Sequence, residues 1–267
     1  ILLSTIYPPH DVWLYDLNRK TMRRQTFKGS GRYGIWGPGS DHLTYSSALE
    51  GLRALMLKAV NSGPLEPEVF QPGEVHFIRP GRWTADGGLL TYVVGTGKGQ
   101  FNLGVLSANG ERQLLLDSQF SEQYPEISPD GNWLVYASKE SGRLEVYARP
   151  FPGPGKAVQI SKNGGFSPAW SPQGDEIFFR WRKEFFAARF EVSGETFTTF
   201  EPVKLFEGDY GSIIAVRSYD VASDGRFLMI KRPERADLEI AADQFFPPQI
   251  KIVSNWFEEL RQKLPND

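Results

Sequence analysis

The stretch Ile127-Ser128-Pro129-Asp130-Gly131-Asn132-Trp133-Leu134-Val135-Tyr136 decides how this chain folds. Proline sets φ for the first turn position, aspartate tolerates the bridge or left-handed region, and glycine supplies positive φ. Such a block between two apolar runs predicts a tight β-hairpin. The run after it alternates through Trp133, Leu134 and Tyr136, which is the pattern of a strand.

The block comes round again. Trp170-Ser171-Pro172-Gln173-Gly174 leads into Ile177-Phe178-Phe179, and Val221-Ala222-Ser223-Asp224-Gly225 leads into Phe227-Leu228-Met229-Ile230. Upstream, Trp83-Thr84-Ala85-Asp86-Gly87 leads to Leu90-Thr91-Tyr92, and Trp36-Gly37-Pro38-Gly39-Ser40 leads to Leu43-Thr44-Tyr45. In every copy an apolar anchor precedes an aromatic residue or isoleucine by nine positions. The anchors Trp36, Trp83, Ile127, Trp170 and Val221 are 47, 44, 43 and 51 residues apart.

Two further strand-like runs follow four of the hairpins: 52–60 and 69–70, 101–106 and 113–116, 144–149 and 158–160, 185–192 and 203–206. Four antiparallel strands per repeat at this period predict the blades of a β-propeller. A β-sandwich also alternates, but does not repeat one hairpin at a near-fixed period. Three strands before Trp36, within 2–7, 12–17 and 22–27, read as strands two to four of a blade without its innermost strand. A last blade begins at Val221, with a strand expected at 249–253. The expectation is an all-β, six-bladed propeller in one domain over 1–267. Its blades fall near 1–27, 33–70, 80–116, 124–160, 167–206 and 218–253. The strands that would complete the terminal blades are expected upstream of Ile1, so the chain reads as the C-terminal part of a longer protein. Asn255 with Glu258 forms a capping box, and Trp256, Phe257, Leu260 and Leu264 share one side, predicting a short helix over 255–264.

Composition agrees with this class. Hydrophobic residues make up 40% and charged residues 23%, with 13% aromatic, 27 Gly and 19 Pro. A net charge of −2 argues against a nucleic-acid or anionic-membrane partner, because both need a basic surplus. No apolar run is long enough to span a membrane, and residues 1–7 lack the features of a signal peptide. The chain has no cysteine, which excludes disulfides and thiolate metal sites.

The stretches Ser128-Pro129-Asp130-Gly131-Asn132-Trp133-Leu134-Val135-Tyr136 and Glu145-Val146-Tyr147-Ala148-Arg149-Pro150-Phe151-Pro152-Gly153-Pro154-Gly155 resemble TolB-type propeller repeats of the kind attached C-terminally to bacterial serine/threonine protein kinases. Asp11-Val12-Trp13-Leu14-Tyr15-Asp16-Leu17 and Asn255-Trp256-Phe257-Glu258-Glu259-Leu260 carry the same resemblance. It departs from the pattern at Ser40 and Ala222, where glycine and proline are usual. It implies a kinase domain upstream, before a membrane segment, and an extracytoplasmic propeller that senses or binds something. No kinase motif lies in the chain itself: Gly-rich loop, His-Arg-Asp and Asp-Phe-Gly are all missing.

Catalytic candidates are few. Gly165-Phe166-Ser167-Pro168-Ala169 is the nearest approach to a nucleophile elbow, but it lies on an inner strand, and Ser167 reads as structural. His10, His42 and His76 have neither metal nor triad spacing. Asp86, Asp130 and Asp224 recur because each caps its own hairpin. No cofactor is called for and no metal site is expected. The basic-aromatic clusters Arg79-Pro80-Gly81-Arg82-Trp83 and Arg180-Trp181-Arg182-Lys183 read first as solvated surface, and second as sites for anionic ligands.

Residues entering the innermost strands gather at one mouth of the axial channel, where concavity and convergent polar groups favour a ligand. Here those are Arg32, Tyr33, Arg82, Tyr124, Ser167, Arg217 and Tyr219. The expectation is a non-catalytic propeller binding a protein or small ligand at this mouth. The alternatives are the regulatory propeller of a prolyl-oligopeptidase-like serine hydrolase, or a TolB-like periplasmic interaction protein.

Overall fold

A computed structural model describes residues 1–5, 8–49, 52–60, 62, 68–70, 75–95, 99–116, 118–211 and 217–230. Among them the chain forms six antiparallel sheets in sequence order. The first holds β1 (Leu2–Ser4), β2 (Val12–Asp16) and β3 (Thr21–Arg24). The second holds β4 (Arg32–Trp36), β5 (His42–Leu49), β6 (Leu52–Ala59) and β7 (Glu68–Phe70). The third holds β8 (Phe77–Trp83), β9 (Leu89–Gly95), β10 (Phe101–Ser107) and β11 (Arg112–Leu116). The fourth holds β12 (Glu122–Ile127), β13 (Trp133–Ser138), β14 (Glu145–Pro150) and β15 (Val158–Gln159). The fifth holds β16 (Phe166–Trp170), β17 (Glu176–Trp181), β18 (Glu184–Ser193), β19 (Thr196–Thr199) and β20 (Val203–Glu207), and the sixth holds β21 (Tyr219–Val221) and β22 (Phe227–Met229). The one helical element described is a single 3₁₀ turn at Pro38–Ser40.

The hairpins form as their turn residues dictate. The glycine N–H closes each turn onto the residue after the anchor: Gly87 onto Thr84 at 3.0 Å, Gly131 onto Ser128 at 2.9 Å, Gly174 onto Ser171 at 2.9 Å and Gly225 onto Ala222 at 2.8 Å. Ser40 does the same to Gly37 at 3.2 Å, and takes a left-handed φ of 60° to do so. The turns locate Ala222 more closely than the sequence did. It stands where Ser128 stands, and Ser223 takes the proline position. The aspartates cap these turns: Asp86 Oδ1 accepts from Gly88 N at 2.9 Å, and Asp224 Oδ1 from Arg226 N at 3.1 Å.

The sheets stack face to face, and the core is divided accordingly. Five buried clusters lie between successive sheets, each joining one pair. Strand β13 shows why. Trp133 and Val135 face the fifth sheet, while Leu134 and Tyr136 face the third. Alternation thus buries both sides of a blade, and every strand residue of β13 is buried. This is a β-propeller, and the sheets are its blades.

One difference from the sequence reading stands out. The fifth sheet carries an unforeseen strand, because β18 runs on past the blade and hairpins into β19. Phe197 of that hairpin packs 4.8 Å from Trp133, so the extension covers the seam with the fourth sheet. The strand at 249–253 and the helix at 255–264 lie outside the described residues.

The first sheet shows which strands it holds. Val12 N donates to Thr26 Oγ1 at 3.0 Å, and that hydroxyl donates to Asp11 Oδ1 at 2.8 Å. Val146 N donates to Ser161 Oγ at 2.8 Å, and that hydroxyl donates to Glu145 Oε2 at 2.5 Å. The two latches are the same device, so β2 corresponds to β14, the third strand of its blade.

Candidate functional site at the axial mouth

The innermost strands set the geometry. Anchors Trp36, Trp83, Ile127, Trp170 and Val221 pair with Leu43, Leu90, Leu134, Ile177 and Phe227. Four of these strands carry a register shift at one place: Arg32/Ile35, Pro80/Trp83, Gln123/Glu126 and Phe166/Ala169. A bulge adds local twist and re-aims the residues beside it. It holds Tyr33, Tyr124 and Ser167 at left-handed φ of 55°, 57° and 52°. Such a conformation costs roughly 1–2 kcal/mol outside glycine, so the surrounding sheets impose it.

Counting back from the anchors aligns the mouth. One residue before stand Ile35, Arg82, Glu126, Ala169 and Asp220. Four before stand Arg32, Arg79, Gln123, Phe166 and Arg217. From these positions a charge cluster forms. Arg217 Nη2 lies 3.3 Å from Glu126 Oε1 and 3.2 Å from Asp220 Oδ1. Arg82 Nη1 lies 3.6 Å from Glu126 Oε2. Glu126 is thus held between guanidinium groups from the third and sixth blades. Its side chain is 11% exposed, while that of Arg82 is 54% exposed and reaches solvent.

Burial dominates the electrostatics. It pushes the Glu126 carboxyl above the usual carboxylate range, against the pull of Arg217 and Arg82 and helped by Asp220. Burial also disfavours charge on Arg217, yet Glu126 and Asp220 outweigh it and hold the guanidinium firmly protonated. The direction on Glu126 reflects the larger desolvation of a nearly enclosed carboxylate.

The expected site residues divide into three groups. Arg82 and Arg217 meet on Glu126, as described. Tyr33 and Tyr124 flank Arg79, whose guanidinium carbon sits 5.1 Å above the Tyr124 ring. Tyr33 packs edge-on to Phe77 at 5.8 Å, and Tyr124 lies 6.1 Å from Phe166. Ser167 and Tyr219 join each other instead. The Tyr219 hydroxyl donates to Ser167 O at 2.7 Å, which commits it to the seam between the fifth and sixth blades. Arg32 starts β4, paired with Ser46, and its charge is not drawn into the cluster.

Sequence reasoning missed Glu126 and Asp220, and left Arg79 in a basic cluster read first as solvated surface and only second as an anion site. Each stands at a register position already occupied by a chosen residue, so alignment on the anchors would have found them. Solvated surface was the wrong reading for two arginines. Arg79 is 5% exposed and Arg180 2%. Arg180 lies between the rings of Phe185 and Phe166, and its Nη1 donates to Gly211 O at 2.9 Å. It fastens the fifth blade to the segment entering the sixth. Among the described residues no group of three or more histidine or acidic side chains is placed to hold a metal ion. No described helix is long and apolar enough to cross a membrane.

No protein-family model matches this sequence, and no curated protein is similar to it in sequence. Solved structures are similar to it in fold. A protein of Agrobacterium tumefaciens described as a TolB superposes with a TM-score of 0.64 at 17% identity, covering 86% of this chain and 84% of that one. TolB of Acinetobacter baumannii gives 0.62 at 15%, covering 85% of this chain and 62% of that one. An oligogalacturonate lyase in complex with manganese gives 0.56 at 14%, covering 81% and 62%. At these identities the likeness speaks for architecture, and the chain has the fold of a TolB-like β-propeller.

Proposed function

We propose that this chain is a non-catalytic binding propeller whose axial mouth takes a protein or small ligand, and that it serves as the extracytoplasmic sensor region of a receptor-like bacterial serine/threonine kinase. The observation that carries the binding role is the convergence of Arg82, Glu126, Arg217 and Asp220 from three blades onto one patch. Charged groups gathered on inner strands, with Arg82 and Asp220 largely exposed, suit recognition of a polar ligand. The TolB-like fold supports an interaction role, and the repeat motifs of the fourth blade support the kinase context.

Two experiments test this. Thermal denaturation of the purified chain against a panel of acidic peptides and small carboxylates should show a ligand that raises Tm. The Arg82→Ala/Arg217→Ala variant should lose that response. A panel without effect, or a response the variant keeps, removes the mouth as the site. Translating the reading frame upstream of Ile1 tests the kinase context, and a hydrolase domain there would overturn it.

A further inference from the structure

Arg79 is a buried cation that no described acidic side chain pairs. It is 95% enclosed, and burial lowers its pKa to about 10, so it stays protonated at neutral pH. No described residue accepts a hydrogen bond from its Nε or its Nη2. These are the two donors on one edge of the guanidinium, the edge that presents parallel N–H groups to two oxygens of a carboxylate or phosphate. Its surroundings are aromatic rather than acidic. Tyr124 of the fourth blade lies under the group at 5.1 Å, and Tyr33 of the second blade faces it. Residues from both flanking blades meet only at the inner edge of the third, so Arg79 belongs to the axial mouth. Unpaired donors on a buried charge cost more than donors in water, and folded proteins rarely leave them so.

A second orphan stands one register position along, on the fifth blade. Ser167 Oγ, on a residue 1% exposed, has no partner among the described residues. Ser167 occupies on the fifth blade the place Tyr124 has on the fourth. Left-handed φ at Tyr33, Tyr124 and Ser167 turns this ring of positions away from ordinary strand geometry.

We propose that the Nε–Nη2 edge of Arg79 is a subsite for a single oxyanion group, between Tyr33 and Tyr124, on a ligand entering the axial mouth. The recognised chemistry is two oxygens sharing one negative charge, borne by a carboxylate or a phosphate. The inference deepens the reading of the mouth as a binding site and gives that site a chemical class. It also separates two arginines on one strand: Arg82 meets solvent and Glu126, while Arg79 lies deeper and has no acid beside it among the described residues.

The test titrates the whole chain at pH 7 with inorganic phosphate and, separately, with glutarate, at ionic strength held by sodium chloride. Tm and the Arg Nε–H resonances of ¹⁵N-labelled protein are read together. One or both anions should raise Tm and shift the Arg79 resonance, and which of them acts identifies the source of the oxyanion. Arg79→Met should weaken binding on the order of 10- to 100-fold. Arg79→Lys, which keeps the charge and loses the fork, should weaken it by about 10-fold. An Arg79 resonance indifferent to both anions, or full binding by Arg79→Met, overturns the proposal. If Arg82→Ala/Arg217→Ala abolishes the response while Arg79→Met retains it, the subsite fails and the mouth survives. If Arg79→Met alone abolishes it, the subsite stands without the outer cluster.

Discussion

Arg217 of the sixth blade reaches Glu126 of the fourth, Nη2 to Oε1 at 3.3 Å, passing the fifth blade on the way. At the matching register position of the fifth blade stands Ala169, 1% exposed in the apolar cluster that joins the fifth and sixth blades. The ion pair thus links two blades that are not neighbours.

Removing Arg217 leaves Glu126 buried with only Arg82 at 3.6 Å. Arg217→Ala is expected to cost about 1–3 kcal/mol at pH 7, read from urea denaturation. The sign with pH follows from Glu126, whose carboxyl is raised by burial. Its ionised form is the disfavoured one, so the loss should shrink as pH falls through its folded pKa and the group becomes neutral. Equal losses at pH 4 and pH 7 would show that Glu126 is not the partner that matters.

The paired latches make a second prediction. Ser161→Ala strips Val146 N of its acceptor and Glu145 of a donor, at a cost of about 1–3 kcal/mol. Thr26→Ala does the same to Val12 N and Asp11. Hydrogen exchange of the Val146 and Val12 amides should accelerate in the respective variant and not in the other. Exchange that rises at both sites in either variant would mean the blades do not open independently.

Glycines separate backbone strain from crowding. Gly131 has φ 77° and open space where a Cβ would go, whereas Gly164 has φ 103° and would place a Cβ 2.2 Å from the Trp181 ring. Gly131→Ala should cost roughly 1 kcal/mol, from conformation alone. Gly164→Ala should cost several times that, since the indole must move or the turn must open. Conversely Ser40→Gly relieves a left-handed serine and should stabilise by a few tenths to about 1 kcal/mol. Chemical denaturation of the three variants checks the order.

Arg79 predicts an unusual response to alkali. Its folded pKa of about 10 lies below that of the exposed group, so the unfolded chain binds the proton more tightly. Without ligand the charge destabilises the fold below about pH 10, and stability from this group rises as pH climbs above that value. Arg79→Met should therefore be more stable than the parent at pH 8, by at most roughly 3 kcal/mol, with the gap narrowing by pH 11. A less stable Arg79→Met at pH 8 would mark the residue as a structural pillar.

Much of the fold was readable because the deciding contacts are local. Ser128, Pro129, Asp130 and Gly131 close a turn among themselves, and a turn forces the next run back as a strand. Trp133, Leu134 and Tyr136 show by alternation that both faces are covered. The β18–β19 extension escaped notice because Phe190 and Phe197 are stabilised by each other and by tryptophans from two blades, a contact no local pattern announces. The site was only half visible. Arg82, Arg217, Tyr33 and Tyr124 could be chosen by their place at strand entries; Glu126 and Arg79 share register positions with Arg82 and Arg217, but nothing local shows that they are buried.

By itself the sequence determined the hairpin, its recurrence at a near-fixed period, and hence a propeller of antiparallel blades, since turn chemistry and side-chain alternation act over a few residues. Tertiary structure alone decided which charges are buried and whom they face. Arg79, Arg82 and Glu126 look alike in one dimension. Bulges in the inner strands and the stacking of blades put the first among aromatic rings with no described acid beside it, the second into solvent, and the third between two arginines. Desolvation and distance are properties of that arrangement, and they fix the chemistry of the mouth.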